Sequence, residues 1–203
     1  MKFRKNLCGP CNNSRSQLFD HAYTMFSEWS NDNMASIYKI DSLDMGAIFS
    51  GKDVTAETYN LARYFMKYLG CRIDDSGLQV PNEIVKFCDG GTFMPHGEIA
   101  FFRDKALNLY IEMSRAASID VFPLTHSAIS GWMSPENNLP INLHRESVIG
   151  NLGVMYAWNS QQNVKADPFY RNRKTTLHER KDLPLPEQYE RSPDYLKEYR
   201  QIV

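Results

Sequence analysis

The sequence has little net charge and no long apolar run, and each shortage excludes a class of protein. Its 203 residues carry 23 Lys and Arg against 24 Asp and Glu, which gives a formal net charge of −1. No overall field therefore draws the chain to nucleic acid or to a membrane surface, so such a partner requires a local basic patch. No apolar segment approaches the roughly 20 residues of a membrane-spanning helix, and we expect no membrane partner.

Cysteines are also few, and the chain has no segment typical of a secreted protein. The basic opening over residues 1–6 is not followed by an apolar stretch, so it does not have the pattern of a signal peptide. Without a secretory context, four cysteines favour reduced thiols or metal ligands over disulfides. We therefore expect a cytoplasmic protein.

The sequence does contain enough apolar surface for a folded core. Hydrophobic residues make up 42% and aromatic residues 12% of the chain, which argues against disorder throughout. Apolar residues at helical spacing predict a helix over residues 16–30 and a second helix from a Thr55 cap to a stop at Gly70. A short third helix is predicted over residues 82–87, after a proline.

Strand patterns follow the helical region. Residues 107–113 alternate between apolar and polar side chains, which is the period of a strand. Apolar runs predict further strands over residues 99–102, 128–133 and 152–158. The order of elements, helices first and then a small antiparallel sheet, predicts the α+β class.

Three regions are expected along the chain. Residues 1–90 hold a cysteine knuckle and the helices, with a connecting stretch over residues 34–54. Residues 91–160 form the antiparallel sheet packed on that region. Residues 161–203 are polar and contain prolines that argue against a long regular element, so we expect an extended tail.

The sharpest motif is a Cys-Gly-Pro-Cys sequence between Cys8 and Cys11. Two thiolates at this spacing can bind one zinc from a tight knuckle, but a structural zinc needs four ligands. Cys71 and Cys88 are distant and do not form a second pair, and the apolar neighbours of Cys71 favour a core thiol. A closed zinc site is therefore not defined by the cysteines alone.

The run from Asn6 to Gln17, Asn-Leu-Cys-Gly-Pro-Cys-Asn-Asn-Ser-Arg-Ser-Gln, leads directly into the first predicted helix. It resembles the second half of the HNH endonuclease motif, a ββα-metal fold that is often stapled by two CxxC knuckles. In that family the second knuckle begins the helix and is commonly followed by His or Asn. The resemblance implies zinc as a cofactor, with Cys8, Cys11 and Asn12 as candidate metal ligands.

The chain departs from the HNH pattern in the catalytic half of the motif. In the family, an Asp-His pair and a first CxxC precede the second knuckle. The pair supplies the base that activates water, while a metal stabilises the scissile phosphate. No such residues precede Cys8 in this sequence. We therefore expect a truncated or repurposed relative that associates with nucleic acid without independent catalysis; as an enzyme, it would be a metal-dependent endonuclease.

Two other interpretations of the cysteine motif remain open. Cys-Gly-Pro-Cys is also the active-site tetrapeptide of thioredoxins, in which the first thiol has a lowered pKa. Against a redox enzyme, residues 2–6 are too polar for a buried central strand. Alternatively, the two cysteines are reduced thiols that bind no metal.

A basic stretch beside two aromatic residues, Phe169 and Tyr170, gives the best candidate surface for DNA or RNA. Arginines beside aromatic rings can bind phosphates and stack on bases. Acidic residues at positions 179, 182, 187 and 190 favour a solvated tail instead. The candidate nucleic-acid-binding residues are Arg4, Lys5, Arg15, Arg171, Arg173, Lys174, Arg180 and Lys181.

Two histidines lie next to residues that could act together with them in catalysis. His126 next to Ser127, and His144 next to Arg145, have the residue types of a nucleophile with its base. No nucleophile elbow or third partner accompanies them, so we interpret them as isolated polar residues at strand ends.

The alternative function is a protein-binding inhibitor or assembly subunit, whose sheet and aromatic-rich tail form the contact with a protein partner.

Overall fold

A computed structural model describes residues 16–104, 124–136, 139–161 and 168–180 of the chain. Within these ranges the fold consists of five helices, a 3-10 turn at Phe169–Arg171 and seven strands. The helices are α1 (Ser16–Asp32), α2 (Met34–Ile37), α3 (Met45–Ile48), α4 (Val54–Asp75) and α5 (Asn82–Cys88). The strands are β1 (Ser42–Asp44), β2 (Gly97–Arg103), β3 (Leu124–His126), β4 (Ser130–Met133), β5 (Pro140–Ile149), β6 (Leu152–Asn159) and β7 (Lys174–Glu179). The α+β class is confirmed.

The strands form one sheet in the order β1-β7-β2-β6-β5-β3, and β4 also pairs with β5. The pairings are antiparallel apart from β2 with β7, which run parallel with Phe101 opposite Leu177. Strands β5 and β6 form a tight hairpin in which Ile149 faces Leu152. Its turn requires a residue with positive φ, and Gly150 supplies it at +59° without the steric cost of a side chain.

The two long helices follow the apolar spacing of the sequence. The predicted helix over residues 16–30 is confirmed as α1. Helix α4 begins at Val54, two residues earlier than a Thr55 cap would place it, because the Asp53 carboxylate caps it by accepting the Ala56 N–H at 3.1 Å. The expected stop at Gly70 is wrong. The helix continues to Asp75 because Ile73, one turn beyond Leu69, is fully buried on the same face.

Helices α1 and α4 pack on one face of the sheet through aromatic side chains. The ring centroids of Phe65 on α4 and Tyr156 on β6 are 5.3 Å apart, and those of Phe26 on α1 and Phe101 on β2 are 5.5 Å apart. One buried cluster includes side chains from these helices and from β2, β5, β6 and β7. Side chains on this face of β5 therefore point toward the helices. The domain boundaries expected after residues 90 and 160 remain predictions.

Several elements lie where the sequence indicated none. The stretch 34–54, expected to connect, contains α2, β1 and α3, and the stretch expected to be a tail contributes β7 to the sheet between β1 and β2. Strand β5 was not predicted. The strands expected over residues 99–102 and 152–158 are confirmed, and the one over 128–133 is confirmed from Ser130 onward. The strand predicted at 107–113 and the tail beyond residue 180 lie outside the described residues.

Candidate functional site

The predicted metal ligands Cys8, Cys11 and Asn12 lie outside the described residues, so the zinc knuckle remains a prediction. Arg4, Lys5, Arg15 and Lys181 also lie outside them. Within the described ranges, no group of three or more His, Cys, Asp or Glu side chains is arranged to hold a metal ion.

The other two cysteines are free thiols in partly buried positions. Burial, and to a smaller extent the nearby Cys71, raises the pKa of the Cys88 thiol to about 12. Burial also raises the pKa of Cys71. Because the thiolate is the reactive form, both thiols should react slowly at neutral pH. This agrees with the interpretation of Cys71 as a core thiol.

Three of the predicted nucleic-acid-binding residues lie together at one end of β7. Arg171 ends the 3-10 turn, and Arg173 and Lys174 follow at the beginning of the strand. The guanidinium carbon of Arg171 lies 4.8 Å from the centroid of the Phe93 ring, and its Nη2 donates to the Thr92 carbonyl at 3.3 Å. We call Arg171, Arg173, Lys174 and Phe93 the basic edge.

Phe93 reaches this position because the loop between α5 and β2 is anchored by its neighbour. Met94 is buried, and its N–H donates to the hydroxyl of Tyr170 at 3.3 Å. The Phe93 side chain, in contrast, is 41% exposed. The fold thus displays a large aromatic ring beside an arginine on the surface, although the two residues are far apart in the sequence.

One carboxylate offsets part of the charge of the basic edge. Asp44 Oδ1 lies 3.4 Å from Nε of Arg173, and Asp44 is opposite Lys174 in the β1–β7 pairing. The same carboxylate accepts the Gly46 N–H at 2.8 Å, which caps α3. The pKa of Asp44 is lowered first by this backbone hydrogen bond and then by Arg173 and Lys174. The basic edge therefore has three cationic side chains and one ionised carboxylate, which lies beside Arg173 and Lys174.

Arg180 lies apart from the basic edge, just beyond the other end of β7. Its Nη2 forms an ion pair with Glu146 Oε1 at 2.9 Å, and its guanidinium lies 5.1 Å from the centroid of Phe102. Burial raises the pKa of Glu146, and Arg180 opposes this shift. The structure therefore places Arg180 in a largely buried ion pair rather than with the other three candidate residues.

A second polar group, which the sequence did not reveal, lies between α4 and the β3–β5–β6 part of the sheet. His126 faces Ser147 across the β3–β5 pairing, and its Nδ1 lies 2.7 Å from the Ser147 hydroxyl. That hydroxyl lies 2.8 Å from the hydroxyl of Tyr156. His126 thus pairs with Ser147 and not with its sequence neighbour Ser127, whose hydroxyl accepts the Glu146 N–H.

Arg145 lies beside this chain of hydrogen bonds. Its guanidinium carbon is 4.7 Å from the centroid of the Tyr68 ring, which itself lies 4.9 Å from the His126 ring. Partial burial, together with the charges of Arg145 and Arg72, lowers the pKa of His126 to about 4, so His126 is neutral at pH 7. We call Arg145, Arg72, Tyr68, His126 and Ser147 the arginine cluster.

A shallow groove of about 370 Å³ runs between the loop before α5 and the beginning of β5. Val80, Pro81 and Trp158 contribute to its apolar lining, and Glu83 and Ser160 are among its polar residues. The groove contains none of the groups described above, and it brings together no set of acid, base and nucleophile.

Searches with this chain against protein-family models, curated proteins and solved structures find no match. The similarity to HNH endonucleases therefore rests on the sequence alone, chiefly on residues 6–17 and more weakly on the stretch up to about residue 75, and it remains a resemblance. None of the described helices combines the length and the apolar composition that a membrane-spanning segment needs.

Proposed function

We propose that the protein binds single-stranded nucleic acid through the basic edge, as a relative of HNH nucleases that acts by binding. The observation that supports this proposal is the position of Phe93. An exposed aromatic ring lies against Arg171, and two further exposed cations follow at Arg173 and Lys174. Phe169 and Tyr170, the aromatic residues that the sequence offered beside these cations, are buried and cannot stack on a base. The exposed ring of Phe93 offers a stacking surface instead.

This combination suits an unpaired strand better than a duplex. Bases of a single strand can stack on exposed aromatic rings, and each such contact contributes roughly 1–3 kcal/mol without regard to sequence. Lys and Arg side chains bind the phosphates between the bases and release counterions. Asp44 lowers the net charge of the basic edge but does not cancel it, because it is one carboxylate beside two of the three cations.

A direct test is fluorescence anisotropy with a labelled single-stranded oligonucleotide. The double variant Arg173→Ala, Lys174→Ala should bind about 25-fold more weakly at 0.1 M salt, because each lost contact with a single strand removes a factor of about five. The matched control, Lys39→Ala with Lys67→Ala, removes the same charge from outside the basic edge and should bind normally.

Phe93→Ala tests the stacking part of the proposal separately. It leaves all three cations in place and should weaken binding by roughly 5-fold to 150-fold, the equivalent of one stacked base. Absence of binding by the unaltered protein, or equal losses in the basic-edge and control variants, would refute the proposed function.

One observation favours the second candidate, a protein-binding module. Trp132 on β4 and Leu139 just before β5 are both nearly half exposed, and Leu139 also lines the shallow groove. Tryptophan is enriched at the centre of protein interfaces. This candidate predicts a stoichiometric complex with one protein and no affinity for nucleic acid, and Trp132→Ala would weaken that complex.

A further inference from the structure

The side chain of Arg145 is buried, and no acidic residue in the described parts of the chain forms an ion pair with it. The residue is only 2% exposed, and its Nε and Nη1 atoms donate no hydrogen bond to any residue that the structure describes. None of the ion pairs among the described residues includes Arg145. Burial of an unpaired charge is costly, and charged groups in protein interiors are normally paired.

Among the residues that the structure describes, the neighbours of Arg145 add polar groups and no carboxylate that balances its charge. Arg72 is cationic and pairs with Asp75 at 3.3 Å, so this pair is neutral overall. His126 is neutral at pH 7, because burial lowers its pKa to about 4. Ser147 presents a hydroxyl, and the ring of Tyr68 lies under the guanidinium of Arg145. Counted together with Asp75, the arginine cluster therefore has one positive charge, that of Arg145, which no carboxylate among the described residues balances.

We propose that the arginine cluster is a binding site for a small oxyanion, a phosphate or carboxylate group held by Arg145. A guanidinium binds such groups through charge-assisted hydrogen bonds, which are about twice as strong as neutral ones. His126 lies on β3, at one end of the strand order, and is itself exposed, so one side of the arginine cluster meets solvent. The ligand is one small group, because Arg145 itself is almost fully enclosed.

This site is separate from the basic edge, so oxyanion binding at Arg145 and nucleic-acid binding at the basic edge can be tested independently. Arg145 lies on β5, whereas Arg173 and Lys174 lie at the beginning of β7, three strands away in the sheet. A protein that binds no nucleic acid can still bind phosphate at Arg145. The double variant of the basic edge should accordingly keep its response to phosphate.

Thermal unfolding of the full chain in phosphate, acetate and chloride at one ionic strength tests the proposal. Phosphate or acetate at 10 mM should raise the Tm by a few degrees over chloride, and the stronger of the two identifies the preferred oxyanion. Arg145→Met should abolish this rise. Its Tm in chloride should be no lower than that of the parent, because an apolar side chain replaces an unpaired charge.

Arg103→Met is the matched control, since Arg103 is a buried arginine with partners. It pairs with Glu179 and donates to the Ile40 carbonyl at 2.7 Å, so its loss should lower the Tm but leave the response to phosphate intact. Broadening of the ³¹P resonance of phosphate by the unaltered protein gives a second measurement that needs no variant. Equal Tm values in all three salts, no broadening, or a response retained by Arg145→Met would overturn the proposal.

Discussion

Replacement of Gly70 by alanine is expected to stabilise the protein, because this glycine lies in the interior of α4. A Cβ atom built at Gly70 would lie 3.4 Å from Val80 Cγ1 and from Ile84 Cγ2, which is ordinary van der Waals contact. Glycine in a helix interior costs about 1 kcal/mol relative to alanine. The added methyl group meets no backbone atom of a neighbouring element, so most of this gain should appear as stability.

A gain of about 1 kcal/mol corresponds to a rise in Tm of about 2–4 °C for a chain of this size. Circular dichroism at 222 nm during thermal unfolding measures it. Gly153→Ala is the matched control, because a Cβ there would lie 2.2 Å from the ring of Phe102, and this variant should lose stability. If Gly70→Ala melts below the parent, the packing of α4 against Val80 and Ile84 described here is incorrect.

Three further predictions concern protons, thiols and metal. The free energy of unfolding should fall as the pH is lowered from 6.5 toward 4, because His126 takes up a proton in the unfolded chain but, with its pKa of about 4, not in the folded one. Urea unfolding at several pH values should show a weaker fall for His126→Gln. An equal fall in the variant would contradict the lowered pKa of His126. Iodoacetamide should modify Cys71 and Cys88 much more slowly in the folded than in the urea-unfolded protein, because burial raises the pKa of both thiols. Equal rates in the two states would show that the thiols are exposed in the folded protein. Protein purified without a metal-binding tag should contain one zinc per chain or per dimer, lost in Cys8→Ser with Cys11→Ser, and a zinc-free chain would contradict the knuckle.

The elements that could be predicted from the sequence are those with an apolar face of regular spacing. Helix α1 repeats apolar residues such as Phe19, Ala22 and Phe26 at helical spacing, and all three are buried. Strand β6 is a nearly continuous apolar run between two neighbours in the sheet. Burial decides the conformation of such segments, and burial follows from the periodicity of the apolar residues.

Strands β5 and β7 could not be predicted because their buried positions are not apolar in the usual pattern. On β5, His144, Arg145 and Ser147 are all buried, so polar residues occupy interior positions on a strand. On β7 only Leu177 is buried, and the strand is held by its pairing with β1 and β2. In both strands, tertiary pairing overrides local composition.

The candidate sites show the same division between local and long-range information. Arg171, Arg173 and Lys174 are neighbours in the sequence, and their clustering could be predicted directly. Phe93 comes from a loop far upstream and joins them only through the packing of Met94 under Tyr170. The unpaired charge of Arg145 could not be inferred at all, because it depends on what α4 and β3 place around it.

The most direct test of the account is the salt dependence of single-stranded DNA binding by the unaltered protein. Three phosphate contacts, one for each cation of the basic edge, predict a slope of about −2 for the logarithm of the binding constant against the logarithm of the salt concentration. We expect this slope for the unaltered protein, and a slope of smaller magnitude when Arg173 and Lys174 are neutralised. Binding that is absent at low salt, or that does not change with salt, would contradict it.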